Sequence, residues 1–359
     1  MLKLLVGGGR CVSALALLSA LAYAQSSVQL NKGWLLQSSR QVADAGEVIS
    51  KSSYIPRRWI STSVPSTVVA AQDAAGEFKS SGEIYAGMNL RKIPGMAYEI
   101  GQQFAHKPIP ADSPYASSWW YRTEFATPAL ARHVALHFDG INNRANIWLN
   151  GRKIADARDV AGAYRRYEFD ITQELVRKGK NVLAVEVFAQ TQNDLGINWV
   201  DWNPTPPDKD MGLWQKVYLT TSGPVEICYP AVTTHLLHGS QSPAELSILA
   251  GLRNVSEKPV KGLFVAQIDG LALGVREPVT LAAGKSKSIT LTPEQFPQLR
   301  VKNAQLWWPA QMGKPFLYTL RTSFVVGNTI SDSKSTRVGL REITSEMAQG
   351  GARLFRVNG

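Results

Sequence analysis

The clearest pattern in this chain is the alternation of apolar and polar positions in short runs separated by turn residues. The stretch HVALHFDGINNRANIWLNGRKIA contains three such runs, which predict strands at His133 to Asp139, Arg144 to Leu149 and Arg152 to Ala155. Asn150 and Gly151 separate the last two runs, and Asn-Gly is a preferred pair for a two-residue hairpin turn. This part of the chain is therefore predicted to form antiparallel hairpins.

The same pattern continues and divides into two units. Further strands are predicted at Tyr167 to Thr172 and Asn181 to Phe188, so the first unit is expected to be a β-sandwich. A change of composition at residues 222–224 marks a boundary. Beyond it, about seven short strands in roughly 120 residues indicate an immunoglobulin-like sandwich without a cysteine pair.

The amino-terminal residues have the pattern of a secretory signal. Lys3 and Arg10 precede a short apolar stretch that ends in Ala22-Tyr23-Ala24. This pattern predicts cleavage near Ala24 and a secreted or periplasmic mature protein. The apolar stretch is shorter than the roughly 20 residues of a membrane-spanning helix. Cleavage would remove Cys11 and leave Cys228 alone, so no disulfide is expected within the mature chain.

The carboxy-terminal residues RLFRVNG resemble the first half of a β-hairpin. A strand-like run from Arg353 to Val357 is followed by Asn358-Gly359, where a return strand would normally begin. We therefore expect the chain to be the front part of a longer protein.

Charge and composition narrow the class of partner. Hydrophobic residues make up 44% and charged residues 19% of the chain, which indicates globular domains. The formal charge is +11, but the basic residues are spread out, without the runs or aromatic interleaving of a nucleic-acid-binding surface. No nucleic acid, membrane, metal or cofactor is expected as a partner.

One long irregular segment is hard to explain by folding alone. The stretch QTQNDLGINWVDWNPTPPDKDMGLWQKV holds three tryptophans, four aspartates and three prolines. Trp214 lies in an alternating run and is expected to be a core residue of a strand. Asp201 and Trp202 are candidate sugar-binding residues, since a ring can stack on the C–H face of a pyranose while a carboxylate accepts hydrogen bonds from hydroxyls or an ammonium.

Five segments in this order resemble the landmarks of glycoside hydrolase family 2. They are SSWWYRTEF, FDGINNRANIWLNGRKIA, NWVDWNPTPPDKDMGLWQKVYL, LWWPAQMGKPFLYTL and VGLREI followed by FRVNG. The resemblance implies an all-β chain, with a jelly-roll galactose-binding-like β-sandwich followed by an immunoglobulin-like β-sandwich. With the signal peptide at 1–24 and the boundary near 223 taken from the pattern above, the predicted ranges are 25–223 and 224–345 for the two sandwiches and 346–359 for the start of a TIM barrel.

In that family the barrel carries the two catalytic glutamates of a retaining glycosidase, so the resemblance places both beyond Gly359. No catalytic residue is assigned in this chain, which is expected to fold without hydrolysing glycosides. Four glutamates in predicted strands are expected to be solvent-facing partners of lysine and arginine: Glu124, Glu168, Glu186 and Glu226.

Within the family the loop NWVDWNPTPPD most resembles exo-β-D-glucosaminidases that release glucosamine from chitosan oligosaccharides. The β-mannosidases have a related Trp-Asp-Trp loop, whose first tryptophan is Val200 here, and endo-β-mannosidases are a further alternative. A different hypothesis is a stand-alone carbohydrate-binding module of two sandwiches. Each of these alternatives has a carbohydrate as its partner.

Overall fold

The computed structural model describes residues 27–359, with the exception of 87, 96–106, 129–131, 198, 200–204 and 238–241. The predicted signal peptide lies outside the described residues. The predicted all-β fold is confirmed, because antiparallel strands form both domains and the helices are short.

The first domain contains twelve of the described strands and two short helices. The helices are α1 (Gly46–Ile49) and α2 (Val68–Ala74). The strands are β1 (Val28–Gln29), β2 (Trp34–Ser38), β3 (Ile60–Thr62), β4 (Ser66–Thr67), β5 (Trp119–Ala126), β6 (His133–Phe138), β7 (Arg144–Leu149), β8 (Arg152–Ala155), β9 (Tyr167–Asp170), β10 (Lys180–Phe188), β11 (Gly212–Leu213) and β12 (Val217–Ser222).

These strands form a sandwich of two main sheets. One sheet has the order β1-β12-β6-β9, the other has the order β3-β2-β5-β10-β7-β8, and β11 pairs separately with β4. Alternate side chains of both sheets point into one apolar core that extends along the chain from Leu30 to Leu219. Trp34 and Tyr121 meet edge to face in this core, with ring centroids 6.3 Å apart.

The second domain is a smaller sandwich with its own core, from Val225 to Leu340. One sheet joins β13, β14 and β17, with β18 on the end of β14, and the other has the order β16-β15-β19-β20. The strands are β13 (Val225–Leu236), β14 (Ala244–Asn254), β15 (Val260–Ile268), β16 (Leu273–Leu281), β17 (Ser286–Leu291), β18 (Arg300–Val301), β19 (Tyr318–Val326) and β20 (Thr329–Val338).

The hairpin predicted around Asn150-Gly151 is present. Both residues have positive φ, 52° and 88°, as the favoured two-residue turn requires. One local prediction was wrong: Trp214 lies between β11 and β12 rather than in a strand, and it is half-buried. Its indole N–H donates to the Ala163 carbonyl at 2.9 Å, so a hydrogen bond to a neighbouring loop fixes this ring.

Residues after the second sandwich form a two-stranded hairpin, β21 (Ile343–Met347) and β22 (Arg353–Val357). The strand predicted at Arg353 to Val357 is therefore confirmed, but it pairs with β21, which precedes it. Asn358 and Gly359 have positive φ, 55° and 78°. Asn358 is buried against the second domain. Its side chain accepts from the Glu342 N–H at 3.0 Å and donates to the Trp307 carbonyl at 3.1 Å.

The glutamates predicted to face solvent behave differently from one another. Glu124 pairs with Arg122 and Lys180, and Glu168 pairs with Arg253. Glu186 was predicted to pair with a basic residue but accepts hydrogen bonds from Ser118 and Asn146 instead. For Glu226 the prediction was wrong, because this side chain is only 4% exposed and pairs with Arg253 at 2.5 Å. The alternation that indicated a strand could not show that Glu226, in the second domain, lies next to the jelly roll.

No helix among the described residues is long and apolar enough to span a membrane. The same part of the chain contains no group of three or more His, Cys, Asp or Glu side chains arranged to hold a metal ion.

Candidate functional site

The candidate site is the loop between β10 and β11, residues 189–211, together with the structure that supports it. Asp201 and Trp202 lie outside the described residues, so the structure gives no contacts for them. It does describe the loop on both sides of this gap. Trp199 precedes the two residues, and residues 205–211 follow them and pack against the jelly roll.

On the carboxy-terminal side, Asp208 anchors the loop. Its carboxylate is fully buried and accepts hydrogen bonds from the Val69 N–H at 2.9 Å and the Asp210 N–H at 3.0 Å. Val69 belongs to the first turn of α2, so the carboxylate satisfies a backbone donor that the helix leaves unpaired. Burial raises the pKa of Asp208 to about 7, and the neighbouring charge of Asp210 adds to this increase.

The next two residues extend this buried polar group. Lys209 and Asp210 both have positive φ, 51° and 56°. The Lys209 ammonium donates to the Lys107 carbonyl at 2.5 Å, and burial lowers the pKa of this amine. Burial also raises the pKa of Asp210, whose carboxylate accepts from the Trp199 indole N–H at 3.2 Å. This bond connects the loop on the two sides of the Asp201-Trp202 segment.

Three buried carboxamides hold the loop, Asn142 and Asn143 from the jelly roll and Gln190 from the loop itself. Asn142 donates to the carbonyls of Lys209 and Asp210, both at 2.9 Å. Gln190 donates to the Ile197 carbonyl at 3.0 Å, and Asn143 makes a longer contact of 3.5 Å with that of Leu195. These amide groups use their N–H donors to fix the backbone of the loop.

The carbonyl oxygens of the same three side chains have no hydrogen-bond partner among the described residues. Each residue is at least nine-tenths buried, so an unpaired oxygen here is costly. Of the three residues, Gln190 alone borders the cleft beside the loop. A carboxamide there suits a polar ligand that carries donors such as a hydroxyl or an ammonium group.

A cleft of about 480 Å³ opens beside the loop. Gln190 and Asn193 contribute to it from the loop, and Tyr115 and Phe188 provide apolar surface. Arg144 lies at the edge, where its guanidinium pairs with Asp194. Asp194 also accepts from the Thr191 N–H at 2.8 Å, so this end of the loop is fixed by an ordered turn.

The sequence pattern indicates the loop but not the residues that support it. Two of the loop's four aspartates, the buried Asp208 and the partly buried Asp210, anchor it. The sequence does not mark Asn142 and Asn143 as supports of the loop, because they follow β6 in a segment with the composition of an ordinary turn. Only the folded chain brings that turn next to residue 209.

Comparison with known proteins defines the class of these domains. Residues 111–198 match the glycosyl hydrolase 2 galactose-binding domain-like family, and residues 225–341 match glycosyl hydrolases family 2. The chain thus contains a galactose-binding-like jelly roll and the family's β-sandwich, and it belongs to glycoside hydrolase family 2.

Individual relatives agree with this classification. The chain is 33% identical to an exo-beta-D-glucosaminidase of Streptomyces avermitilis, over 91% of this chain and 34% of the relative. It is 27% identical to a mannosylglycoprotein endo-beta-mannosidase of Lilium longiflorum, over 92% of this chain and 36% of the relative.

The crystal structure of the exo-chitosanase CsxA of Amycolatopsis orientalis superimposes with a TM-score of 0.79 at 28% identity, covering 93% of this chain and 36% of CsxA. The chain spans about a third of the length of the relatives it matches.

Proposed function

We propose that this chain is the non-catalytic amino-terminal part of a retaining exo-β-glycosidase that removes terminal glucosamine from chitosan oligosaccharides. The similarity to exo-beta-D-glucosaminidases supports the substrate, since one relative is 33% identical over 91% of the chain. The observation that carries the proposal is the anchored loop, whose buried aspartates and carboxamides would hold Asp201 and Trp202 in place.

In this proposal the catalytic glutamates lie outside residues 1–359, in a TIM barrel. A retaining mechanism needs two carboxyl groups about 5 to 5.5 Å apart, one as nucleophile and one as acid/base. The loop would extend from the jelly roll to close one wall of the barrel pocket. A pocket closed on this side would accept only the end of a saccharide chain, which would explain why the enzyme releases terminal sugars. A cleavable signal ending near Ala24 would direct the protein to the periplasm or out of the cell.

Asp201 would then bind the ammonium or hydroxyls of the terminal sugar, and Trp202 would stack on its ring. A charge-assisted hydrogen bond of this type contributes on the order of 1.5 to 3 kcal/mol. Asp201→Asn in the complete enzyme should therefore lower kcat/KM for a glucosamine dimer by about tenfold or more, since about 1.4 kcal/mol is a factor of ten. Its melting temperature should hardly change.

Asp269→Asn, on the second domain, is the matched control and should retain normal kinetics. Asp269 pairs with Arg321 on the surface, and both side chains are largely exposed. Unchanged kinetics in Asp201→Asn would refute the role of the loop in substrate binding.

Two other functions make different predictions. A β-mannosidase or endo-β-mannosidase, suggested by the lily relative, would prefer mannosides to glucosaminides in the same assay. A stand-alone carbohydrate-binding module would have a stop codon directly after Gly359, whereas the proposed hydrolase requires an open reading frame of several hundred further codons.

A further inference from the structure

A second cleft lies between the two domains and shares no lining residue with the cleft beside the loop. Its volume is about 350 Å³, at the lower end of the roughly 300 to 1,000 Å³ typical of small-molecule pockets. The jelly-roll side contributes residues from β6, β9 and β12, and the immunoglobulin-like side contributes residues from β13 and β20. We refer to it as the interdomain cleft.

Tyr229 forms one wall of this cleft in an unusual conformation. It lies in β13 where the pairing with β14 is interrupted between Cys228 and Ala231. Its φ is 47°, in the left-handed region that bulky side chains rarely adopt, and the residue is 75% exposed. Its hydroxyl has no hydrogen-bond partner in the described part of the chain. Neither packing nor hydrogen bonding therefore explains why a strained position holds a large aromatic side chain.

The opposite wall offers hydrogen-bonding groups that remain accessible. Asp139 accepts a long hydrogen bond from the Tyr218 hydroxyl at 3.4 Å, and the Arg166 guanidinium lies 3.6 Å from the same carboxylate oxygen. The other carboxylate oxygen of Asp139 accepts no hydrogen bond from the described residues. Tyr218 is held in place by stacking on His137, with ring centroids 4.6 Å apart. The wall thus combines a partly free acceptor, an exposed donor and a ring held by stacking.

The charged side chains around the cleft leave a small negative excess. Glu168 and Glu226 share one partner, Arg253, and Lys334 is 3.5 Å from the buried Asp332. With Asp139 facing Arg166, four carboxylates stand against three cationic groups, so no positive excess is left to attract a phosphate. A hydroxylated ligand that is neutral or carries an amine suits such a surface better than an anion.

We propose that the interdomain cleft is a second saccharide-binding site. The Tyr229 ring stacks on the C–H face of one sugar unit, and Asp139 and Arg166 bind hydroxyls of that unit or its neighbour. Because the cleft is formed within these 359 residues, the proposal does not depend on the catalytic function or on Asp201.

Calorimetric titration of the 359-residue chain with β-1,4-linked tetramers of glucosamine and of mannose tests the site. A weak complex is expected, with a dissociation constant on the order of 1 mM. Tyr229→Ala and Asp139→Asn should each weaken binding about tenfold. Phe355→Ala, which removes another exposed aromatic ring, should leave this binding unchanged.

Tyr229→Gly separates binding from folding. Glycine adopts positive φ without strain, so this variant should keep or raise the melting temperature while losing saccharide binding. The proposal is overturned if neither tetramer binds, if binding survives in both cleft variants, or if Tyr229→Gly lowers the melting temperature, which would make the tyrosine a structural residue.

Discussion

At the scale of single residues, the most informative group is the buried carboxyl of Asp208. It has no lysine or arginine partner among the described residues and is held by two backbone N–H groups. Its pKa is about 7, mainly because burial disfavours the charged form. An ionised carboxylate at this buried position lowers the stability of the folded state. Its two backbone hydrogen bonds nevertheless fix the position of the loop.

This pKa predicts a pH dependence of stability. An unfolded aspartic acid has a pKa of about 3.9, so between about pH 4 and pH 7 the folded state binds more protons than the unfolded state. Stability should therefore fall as pH rises through this window, by up to about 1.4 kcal/mol per pH unit from this group alone. Asp208→Asn has no ionisable group at this position, so the part of the pH dependence of stability that comes from Asp208 should disappear.

Urea unfolding of both proteins between about pH 4 and pH 8 measures the difference. The stability of the wild type relative to Asp208→Asn should decrease steadily with pH, while Asp269→Asn should follow the wild type. A constant difference across the window would show that Asp208 is ionised throughout.

At the scale of elements, α1 covers the outer face of the six-stranded sheet. Beneath it lie Trp120 and Trp148, whose ring centroids are 5.2 Å apart. The Trp148 indole donates to Glu47 at 3.0 Å, and the Arg122 guanidinium donates to the Ile49 carbonyl at 3.0 Å. A helix this short is not stable alone, so these contacts with the sheet hold it.

The close approach of this helix depends on Gly46. A Cβ atom at this position would lie 2.3 Å from ring carbons of Trp148. Gly46→Ala should therefore displace the helix or the ring and reduce the free energy of unfolding by about 1 to 3 kcal/mol. At Gly274 a Cβ would meet Gln267 at an ordinary 3.7 Å, so Gly274→Ala is the control. Equal stabilities for the two variants in urea unfolding would contradict this explanation.

At the scale of the whole molecule, Arg253 connects the two domains. Its guanidinium pairs with Glu226 of its own domain at 2.5 Å and with Glu168 of the jelly roll. Glu226 is almost completely buried, so it depends on this partner. Arg253 itself is 37% exposed, so solvent weakens the interaction compared with a fully buried pair.

Arg253→Met should lower the free energy of unfolding by about 1 to 3 kcal/mol, chiefly because it leaves the Glu226 carboxylate unpaired. A double-mutant cycle with Glu168→Gln should give a coupling energy of about 0.5 to 1 kcal/mol, which measures the contact between domains. Arg321→Met, which breaks an exposed pair within the second domain, is the control. If the changes in unfolding free energy caused by Arg253→Met and Glu168→Gln add in the double mutant, the contact between these residues does not stabilise the two domains against each other.

Strand positions, the hairpin turn at Asn150-Gly151, the positive φ of Asn358 and Gly359, and the all-β class follow from the sequence itself. These features depend on local rules, namely alternation of side chains along a strand and the preference of Asn-Gly for positive φ. The order of five motifs was also sufficient to indicate the family, because each motif is a continuous stretch. The unusual loop was visible for the same reason.

The surroundings of each side chain were decided by the tertiary structure. The sequence predicted Glu226 as a surface residue, but it is buried next to the jelly roll. It predicted Trp214 as a core residue of a strand, but this residue lies after the end of β11. Asn142 and Asp210, 68 residues apart, meet only when the loop folds back onto the jelly roll. Burial, pairing and pKa depend on contacts between residues distant in sequence, and the local pattern of the chain does not contain that information.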